Sequence, residues 1–351
     1  MSDTSPVPMP YRRLGRSNLK VSALCLGTMM FGDQTGREEA AAILADARGQ
    51  GVNFIDTADV YTKGASEAML GELLQGQRHE WVLATKLGNT MSHRVNEGHY
   101  SRSWMQREVQ ASLRRLQTDH VDILYLHRDY NAMDLEEPLR ALDAMLRDGK
   151  IRYWGVSNFR GWRINEMVHL ARQLGMPGPV VCQPYYNLLN RMPEVEILPA
   201  CAHHGIGAVP YSPVARGVLT GKYAPGQPAP AGTRAGRGDK RIGETEFREE
   251  SLQIAQTLKG HAEGRGVTLA QFATAWVLAH QAVSSVIAGP RTLAQWQDYR
   301  PALDYRVTAE DEALVDALVR PGHPSTTGYT EPAYQREGRG RTGGAWRQWM
   351  R

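Results

Sequence analysis

The chain has 351 residues, of which 42% are hydrophobic and 22% are charged, and its formal net charge is +4. These values are typical of a globular protein and exclude a disordered chain, a collagen-like repeat and a coiled coil. No run of residues approaches the roughly 18 apolar residues of a membrane-spanning helix, and residues 1–10 carry neither the basic nor the apolar region of a secretory signal. The cysteines Cys25, Cys182 and Cys201 are widely spaced and predict reduced thiols. We therefore expect a cytoplasmic protein with no membrane partner.

The positive charge is concentrated near the C-terminus. Residues 320–351 contain six Arg and two Glu, which accounts for the whole net charge of +4. The body of the chain is therefore neutral, whereas a nucleic-acid-binding protein has a basic stripe along a folded face. We expect no nucleic-acid partner.

The predicted elements begin with a polar segment, residues 11–20, which is typical of a β-hairpin with Ser17 and Asn18 at its turn. Short apolar runs follow, each too short for a buried helix and rich in β-branched or aromatic residues. These predicted strands are residues 21–27, 52–57, 81–86, 121–127, 152–158, 180–184, 207–212 and 285–289.

Amphipathic stretches between the strands predict helices. In residues 104–116 and 268–280 the apolar side chains fall on one stripe, and Ser103 and Thr268 are the predicted N-caps. Alternating helices and strands of this kind indicate a parallel sheet covered by helices. Eight repeats in about 290 residues favour an α/β fold of the closed (β/α)8 TIM barrel type over an open sheet. An open dinucleotide-binding sheet would also show G-x-G-x-x-G after its first strand, which this chain lacks there.

Two segments fall outside the alternation. Residues 224–243, after the seventh predicted strand, are rich in Pro, Gly, Arg and Lys, and a loop this long and irregular is often functional. The residues after Pro321 are similarly irregular. We predict a single domain over residues 1–351, with the barrel over about 20–318 and an irregular C-terminal tail over 319–351.

The ends of the predicted strands carry polar residues. Barrel enzymes place their active sites at the C-terminal mouth, where the strand ends meet. The residues at these ends are Gly27 and Thr28, Asp56, Lys86, His127, Ser157 and Asn158, Gln183, Tyr211 and Ser212, and Gly289. Asp56, Lys86 and His127 therefore converge at one mouth. Tyr61, five residues past Asp56, can reach over it.

Together these side chains predict a proton-transfer site. Each alone has an ordinary explanation: an Asx turn for Asp56, a solvated strand end for Lys86. A backbone hydrogen bond would explain His127, and a surface position would explain Tyr61. As a group, the ammonium of Lys86 is expected to lower the pKa of Tyr61 from about 10 toward working pH, so that Tyr61 can give a proton to a carbonyl oxygen. Asp56 would keep Lys86 charged, and His127 would donate a hydrogen bond to the same oxygen.

Longer motifs resemble the aldo-keto reductase superfamily. They are "NFIDTADVYTKGASEAMLGELL", "VLATK", "SLRRLQTDHVDILYLHR", "GKIRYWGVSN", "QPYYNLLNR", "YSPVARGVLTGKY" and "SVIAGPRTLAQ", spread in family order over roughly residues 11–299. The resemblance implies the (β/α)8 barrel and a catalytic tetrad of Asp56, Tyr61, Lys86 and His127. The "NLLNR" run and a late G-x-R-x-x-x-Q pattern place the chain nearer the bacterial, plant and potassium-channel β-subunit branches than the mammalian aldose reductases.

The resemblance also implies bound NADPH or NADP+, extended across the strand ends. It places Thr28 and Met29 near the nicotinamide ribose and pyrophosphate, and Ser157, Asn158 and Gln183 on the carboxamide, with Tyr211 stacked on the ring. Gly27 and Asp56 are further predicted cofactor contacts. It places Ser212, Pro213, Val214, Ala215, Arg216 and Gly217 along the pyrophosphate, with Lys222 and Arg234 beside phosphate. It places Gly289, Arg291 and Gln295 on the adenosine 2′-phosphate and adenine. Tyr299 stands where the family commonly has Asn, with Asp298 beside it as a weaker adenine contact. A guanidinium fork such as that of Arg291 suits a phosphomonoester.

Three functions fit these residues. The leading hypothesis is an NADPH-dependent oxidoreductase that reduces aldehydes or ketones to alcohols, with Tyr61 as general acid. The alternative is an NADP(H)-binding regulatory or sensor subunit with little turnover. A Schiff-base aldolase with Lys86 as nucleophile is the third.

The remaining expectations concern ligands and partners. Met30, Phe31, Trp104, Tyr130 and Tyr329 are candidates for an apolar pocket for a small-molecule carbonyl substrate. Cys201, His203 and His204 do not share one helix face, so no metal site is predicted. The sequence is compatible with a homo-oligomer.

Overall fold

The hairpin at the start of the chain forms as predicted. The structure, a computed structural model, describes residues 8–130 and 133–326. Strand β1 (Tyr11–Arg13) pairs antiparallel with β2 (Lys20–Ser22). Between them, the backbone N–H of Leu14 donates to the carbonyl oxygen of Leu19 over 2.8 Å.

The remaining strands form a closed parallel ring. They are β3 (Leu24–Gly27), β4 (Phe54–Asp56), β5 (Val82–Leu87), β6 (Val121–Leu126), β7 (Ile151–Ser157), β8 (Val181–Gln183), β9 (Gly207–Ala208) and β10 (Val286–Ala288). Strands β3 to β9 pair in chain order, and β10 pairs with β3. The ring closes through parallel bridges that join Ala208 to Val283 and Tyr211 to Ile287. This confirms the predicted (β/α)8 barrel.

Helices surround the ring. They are α1 (Arg37–Gly49), α2 (Ala65–Leu73), α3 (Arg102–Arg115), α4 (Glu136–Arg147), α5 (Gly161–Gln173), α6 (Ile197–His204), α7 (Lys240–Glu244), α8 (Glu249–Gly264), α9 (Leu269–Ala279), α10 (Leu293–Gln297) and α11 (Ala309–Leu318). None of the helices in the described part of the chain is both long and apolar enough to cross a bilayer.

Alternation along the strands divides the core in two, because successive strand side chains point to opposite faces. Phe54 and Tyr125 belong to a small cluster inside the barrel, whereas their neighbours Ile55 and Leu124 belong to the large cluster between sheet and helices. Leu14 of the hairpin joins the inner cluster. The hairpin therefore closes the N-terminal end of the barrel and leaves the C-terminal mouth open.

The eight predicted barrel strands are confirmed, but two boundaries are wrong by several residues. The strand predicted over residues 207–212 is only β9, Gly207–Ala208, and Tyr211 forms isolated bridges beyond its end. Residues 21–27 are not one strand: Val21 belongs to β2, paired with Arg12, and β3 begins at Leu24 after the single residue Ala23. The apolar run is continuous because both sides of this break are buried.

One of the two predicted N-caps is correct. Thr268 caps α9 and forms a reciprocal capping box with Gln271. The prediction of Ser103 as the N-cap of α3 is wrong: the cap is Ser101, whose side chain accepts a hydrogen bond from the backbone N–H of Trp104.

The long loop at residues 224–243 is irregular as predicted and ends in α7. The division into one domain stays a prediction. Most of the predicted tail lies outside the described residues, which end at Thr326.

Candidate active site

The C-terminal mouth of the barrel holds a cavity of about 340 Å³. Every strand of the ring except β5 and β9 contributes a terminal residue, or the residue directly after it, to the wall. Predicted site residues in the wall are Gly27, Thr28, Met29, Asp56, Tyr61, His127, Ser157, Asn158, Gln183, Tyr211, Ser212, Pro213, Val214, Arg216, Gly217, Lys222, Arg234, Gly289, Arg291, Gln295, Asp298 and Tyr299. Lys86 and Ala215 are absent from it, because both side chains are completely buried behind the wall.

Lys86 lies on β5 directly beneath the cavity and forms hydrogen bonds with three neighbouring groups. Its ammonium donates hydrogen bonds to the Oδ1 of Asp56, to the carbonyl oxygen of Thr57 (2.7 Å) and to the hydroxyl of Tyr61 (3.1 Å). The Nζ atom also lies 4.6 Å from the ring centroid of Tyr61. The structure thus brings Asp56, Lys86 and Tyr61 into direct contact.

The carboxylate of Asp56 is held from two sides. Its Oδ1 accepts from Lys86, and its Oδ2 accepts from Nε2 of Gln183 over 2.8 Å. Burial raises the pKa of Asp56, against the opposing effects of Lys86 and Gln183. For Lys86, burial disfavours the ammonium, but Asp56 and then Tyr61 raise its pKa above the usual value. Lys86 is therefore an ammonium at neutral pH.

Tyr61 is presented by a tight turn after β4. It begins the 3-10 helix Tyr61–Gly64, in which Thr62 and Lys63 have φ values of +47° and +55°. Left-handed backbone costs about 1–3 kcal/mol for a residue other than glycine and persists only where the surroundings hold it. Here the Thr62 hydroxyl donates to the carbonyl oxygen of Phe31 (3.0 Å) and accepts from the N–H of Ser66 (3.1 Å).

The expected direction of the Tyr61 pKa shift is wrong. Burial raises the pKa of Tyr61 above its usual value of 10, and this effect outweighs the lowering by Lys86. Asp56 raises the pKa further, and Arg241 lowers it. Tyr61 is consequently a neutral phenol at neutral pH, with its proton available to an acceptor in the cavity.

His127 follows β6 and lies beside Tyr61. The two ring centroids are 5.9 Å apart, with an interplanar angle of 80°. Burial, then the charges of Lys86, Arg241 and Arg128, lower the pKa of His127 well below its usual range. The imidazole is therefore neutral and has one N–H to donate.

The amide and hydroxyl groups beside the tetrad form a connected network. Asn158 donates through Nδ2 to the carbonyl oxygen of His127 (3.0 Å) and to Oγ of Ser157 (3.1 Å). Its Oδ1 accepts from the hydroxyl of Tyr211 over 2.8 Å. Ser157 in turn donates to the carbonyl oxygen of Gln183 (3.0 Å). These residues are fixed relative to one another and to His127.

Three cations gather at the far side of the cavity: Lys222, Arg237 and Arg291, which we call the cationic cluster. None of the three forms an ion pair within residues 8–130 and 133–326. Burial, then Arg291 and Arg237, lower the pKa of Lys222. Like charges held together in a cavity indicate an anion site.

The loop after β9 supports this cluster. A Cβ at Gly217 would lie only 2.9 Å from Nζ of Lys222, and its φ of +101° is accessible mainly to glycine. The guanidinium of Arg216, which also lines the cavity, donates hydrogen bonds to Glu246 (2.5 Å) and Thr245 (3.2 Å). Its place along the pyrophosphate stays a prediction. Arg234 is similarly paired with Asp239 over 2.9 Å.

Several wall residues were not predicted. They are Gln34, Asn89, Arg128, Thr220, Arg237, Arg241, Ala270 and Ile287. Arg237 and Arg241 lie within or next to the long loop 224–243, whose composition was the available signal. The others carry no such signal: Ile287 lies on β10 and Ala270 on α9, and Gln34, Asn89, Arg128 and Thr220 lie outside the strands and α-helices.

The predicted apolar pocket is largely wrong. Met30 lines the cavity, but Phe31 and Trp104 are buried in the core. Tyr130 donates its hydroxyl to the carbonyl oxygen of Gly88 (2.8 Å), and Tyr329 lies outside the described residues. No group of three His, Cys, Asp or Glu side chains able to hold a metal ion exists in the described ranges.

A parallel barrel that holds a buried, ion-paired lysine against a tyrosine at its mouth defines a class of barrel enzymes suited to proton transfer. A family model described as "Aldo/keto reductase family" matches residues 23–320. The chain belongs to this family and is an oxidoreductase, which confirms the resemblance found in its motifs.

Curated relatives cover most of the chain. It is 38% identical over 304 residues to a "Probable voltage-gated potassium channel subunit beta" of Arabidopsis thaliana, covering 84% of this chain and 92% of the relative. A protein of the same description from Oryza sativa subsp. japonica is 37% identical, covering 92% and 100%. The "Uncharacterized oxidoreductase YrpG" of Bacillus subtilis (strain 168) is 34% identical, covering 93% and 99%. These relatives match the predicted branch of the family.

Proposed function

We propose that the protein is an NADP(H)-dependent oxidoreductase that reduces aldehydes or ketones to alcohols, with Tyr61 as proton donor. The observation that carries the proposal is the position of Lys86. Its ammonium, behind the cavity wall, contacts both Asp56 and the hydroxyl of Tyr61, which line the cavity together with the neutral imidazole of His127.

The donor set of the cavity fits a dinucleotide. The cationic cluster suits phosphate groups, since guanidinium and ammonium donors match phosphate oxygens. At the opposite end, Gln183, Asn158 and Ser157 offer amide and hydroxyl groups suited to a carboxamide, and the half-buried ring of Tyr211 lines the wall beside them. Gly289 leaves open space, since a Cβ added there would meet no atom within 4 Å.

In this reaction, the protein orients the carbonyl group and donates a proton to its oxygen. The chemistry that the reduced nicotinamide contributes when bound is a hydride for the carbonyl carbon. Tyr61 gives its hydroxyl proton to the carbonyl oxygen, which completes the alcohol. Lys86 stabilises the resulting phenolate, and His127 can orient the carbonyl oxygen by a hydrogen bond.

The buried ammonium disfavours the aldolase hypothesis. A Schiff-base nucleophile must be a neutral amine that reaches its substrate. Lys86 is ion-paired with Asp56, has a raised pKa and lies behind the cavity wall.

Removal of the phenol tests the proposal. With a panel of aldehydes, α-dicarbonyls and aromatic ketones, we expect carbonyl-dependent loss of NADPH absorbance. Tyr61→Phe is expected to lower kcat by at least about 10²-fold, the loss typical of a missing general acid. Its dissociation constant for NADPH is expected to stay near the wild-type value.

The matched control is Tyr11→Phe, which removes the hydroxyl of an exposed tyrosine bonded to the carbonyl oxygen of Gly51 at the hairpin. Wild-type kcat in Tyr61→Phe would remove Tyr61 from the role of acid.

The names of the plant relatives favour a second candidate, an NADP(H)-binding regulatory subunit of a channel. A chain with this role would bind NADPH tightly and turn over the whole carbonyl panel slowly or not at all. Measurement of NADPH affinity together with turnover separates the two candidates.

A further inference from the structure

Two arginines, Arg128 and Arg241, line the cavity beside the catalytic groups. Arg128 follows β6, and Arg291 of the cationic cluster follows β10. In the closed ring of eight, β6 and β10 are four strands apart and therefore opposite each other. Arg128 thus lies across the mouth from the site proposed for phosphate.

The backbone of Arg128 is rigidly placed. The buried hydroxyl of Tyr100 donates to the carbonyl oxygen of Arg128 (2.7 Å) and accepts from its N–H (3.1 Å). The backbone N–H of the preceding residue, His127, donates to the carbonyl oxygen of Leu87 over 2.9 Å. The backbone of Arg128 is therefore fixed in position relative to His127.

The guanidinium of Arg128 has no carboxylate partner among residues 8–130 and 133–326. Its Nε is buried without a hydrogen bond within the same ranges. The adjacent carboxylate, Asp129, bonds instead to Nε of Arg163 over 3.2 Å. The guanidinium carbon of Arg128 lies 5.5 Å from the ring centroid of Tyr130, a contact that orients the group without neutralising it.

The two arginine charges act on the groups that would hold the carbonyl. Both contribute to the lowered pKa of His127, after burial and Lys86, and Arg241 also acts on Tyr61. An anion placed beside them would be attracted at the substrate end of the cavity, where no cofactor phosphate is required.

We propose that the preferred substrates are carbonyl compounds that carry an anionic oxygen group, a carboxylate or a phosphate, bound by Arg128 with Arg241 alongside. This inference rests on the proposed carbonyl reduction and specifies its substrate class. A guanidinium presents paired N–H donors that match the oxygens of either anion.

The test compares matched aldehydes. We would measure kcat/KM with NADPH for 4-carboxybenzaldehyde, for its neutral methyl ester and for 4-formylphenyl phosphate. The wild type is expected to prefer at least one of the anions over the ester by about tenfold or more, the range of a charge-assisted hydrogen bond. The larger of the two preferences shows whether the site is built for carboxylate or phosphate.

Variants assign that preference to one side chain. Arg128→Met, which removes the charge and keeps most of the length, is expected to abolish the preference, and Arg128→Lys is expected to retain part of it. Arg152→Met is the matched control, because Arg152 is exposed at the start of β7, at the opposite end of the barrel. It is expected to keep the wild-type ratio. Thermal melting checks that each variant is folded.

A binding measurement separates this inference from the proposed reaction. In the presence of NADP+, calorimetry with 4-(hydroxymethyl)benzoate and 4-(hydroxymethyl)phenyl phosphate is expected to show weaker binding of the preferred anion in Arg128→Met, by about tenfold. If no aldehyde is reduced but this difference appears, the proposed reaction fails and the anion site stands. If the wild type does not distinguish the anions from the ester, or if Arg128→Met affects all three alike, the anion site is refuted.

Discussion

Lys86 uses its three N–H donors on three different acceptors. One is the carboxylate of Asp56, one is the carbonyl oxygen of Thr57, and one is the hydroxyl of Tyr61. An ammonium has no further donor, and the side chain is completely buried. In the proposed reaction, Lys86 would therefore act on a substrate only through Tyr61, as an electrostatic and positioning group.

This arrangement predicts a pH effect. Tyr61 must hold its proton to act as an acid, so the rate of reduction falls as pH rises through the pKa of Tyr61. Lys86 lowers that pKa, so Lys86→Met is expected to move the alkaline limb of the pH–rate profile to higher pH. The rate at neutral pH is expected to fall, because the phenolate loses its stabilising charge. An alkaline limb at the wild-type position in Lys86→Met would contradict the role of Lys86.

Asp56→Asn is expected to shift the alkaline limb of the pH–rate profile in the opposite direction. The carboxylate of Asp56 raises the pKa of Tyr61, so its neutral isostere is expected to move the alkaline limb to lower pH. A shift in the same direction in both variants would indicate that Asp56 acts mainly by placing Lys86.

The proximity of Asp56, Tyr61, Lys86 and His127 could be predicted from the sequence because each lies at the end of an apolar strand run or in the loop after it. The net shift of the Tyr61 pKa could not. Its sign depends on the balance between burial and the nearby ammonium, and burial depends on packing from several segments. Arg128 could not be assigned for a similar reason, since its significance comes from Asp129 being engaged elsewhere, with Arg163.

At the scale of elements, the loops after β9 and β10 assemble the cationic cluster. Lys222 and Arg237 come from the long connection after β9, and Arg291 follows β10. The carbonyl oxygen of Arg291 accepts from the hydroxyl of Thr35, and its N–H donates to Oε1 of Gln295, each over 2.9 Å. The backbone of Arg291 is thus fixed while its guanidinium faces the cavity.

The cluster predicts cofactor choice. NADPH carries a 2′-phosphate that NADH lacks, and charge-assisted hydrogen bonds contribute about 1.5–3 kcal/mol each, or roughly 10- to 150-fold in affinity. We expect Arg291→Ala to weaken NADPH binding by about tenfold or more and to leave NADH binding almost unchanged. Fluorescence quenching gives both dissociation constants. Arg147→Ala, at an exposed position at the end of α4, is the control. Equal losses for both cofactors would refute the 2′-phosphate assignment.

Element boundaries were harder to predict than element identity. The strand runs are short and nearly continuous in apolar residues, so their existence is evident, but burial on both sides of Ala23 concealed the break between β2 and β3. Ser101 and Ser103 are both good N-cap residues. The choice depends on where the backbone turns helical, and Arg102 is already the first residue of α3.

At the scale of the whole molecule, the stabilising hairpin and the candidate active site lie at opposite ends of the barrel. The hairpin inserts Leu14 into the inner core at the N-terminal end, and this side chain is completely buried. The groups proposed to be catalytic lie at the other end. A substitution of Leu14 should therefore affect the stability of the fold more than the reaction.

Leu14→Ala tests this separation. Loss of a buried leucine typically costs 2–5 kcal/mol, so we expect the free energy of unfolding in urea to fall by about that amount. The activity of the folded variant is expected to stay near the wild-type value. Leu19→Ala, at a partly buried position of the same hairpin, is expected to cost less. A large loss of activity in folded Leu14→Ala would show that the two ends are coupled.

The pairing of β10 with β3 has a consequence for how the chain folds. The side chain of Ser285, beside β10, donates to the carbonyl oxygen of Ala23, 262 residues earlier. Contacts between such distant residues form slowly, because a long loop must be closed first. During synthesis, the outer edge of β3 has no partner until most of the protein has left the ribosome. An unpaired strand edge is a template for aggregation. The nascent protein is therefore most exposed to misassembly just before its last barrel strand emerges.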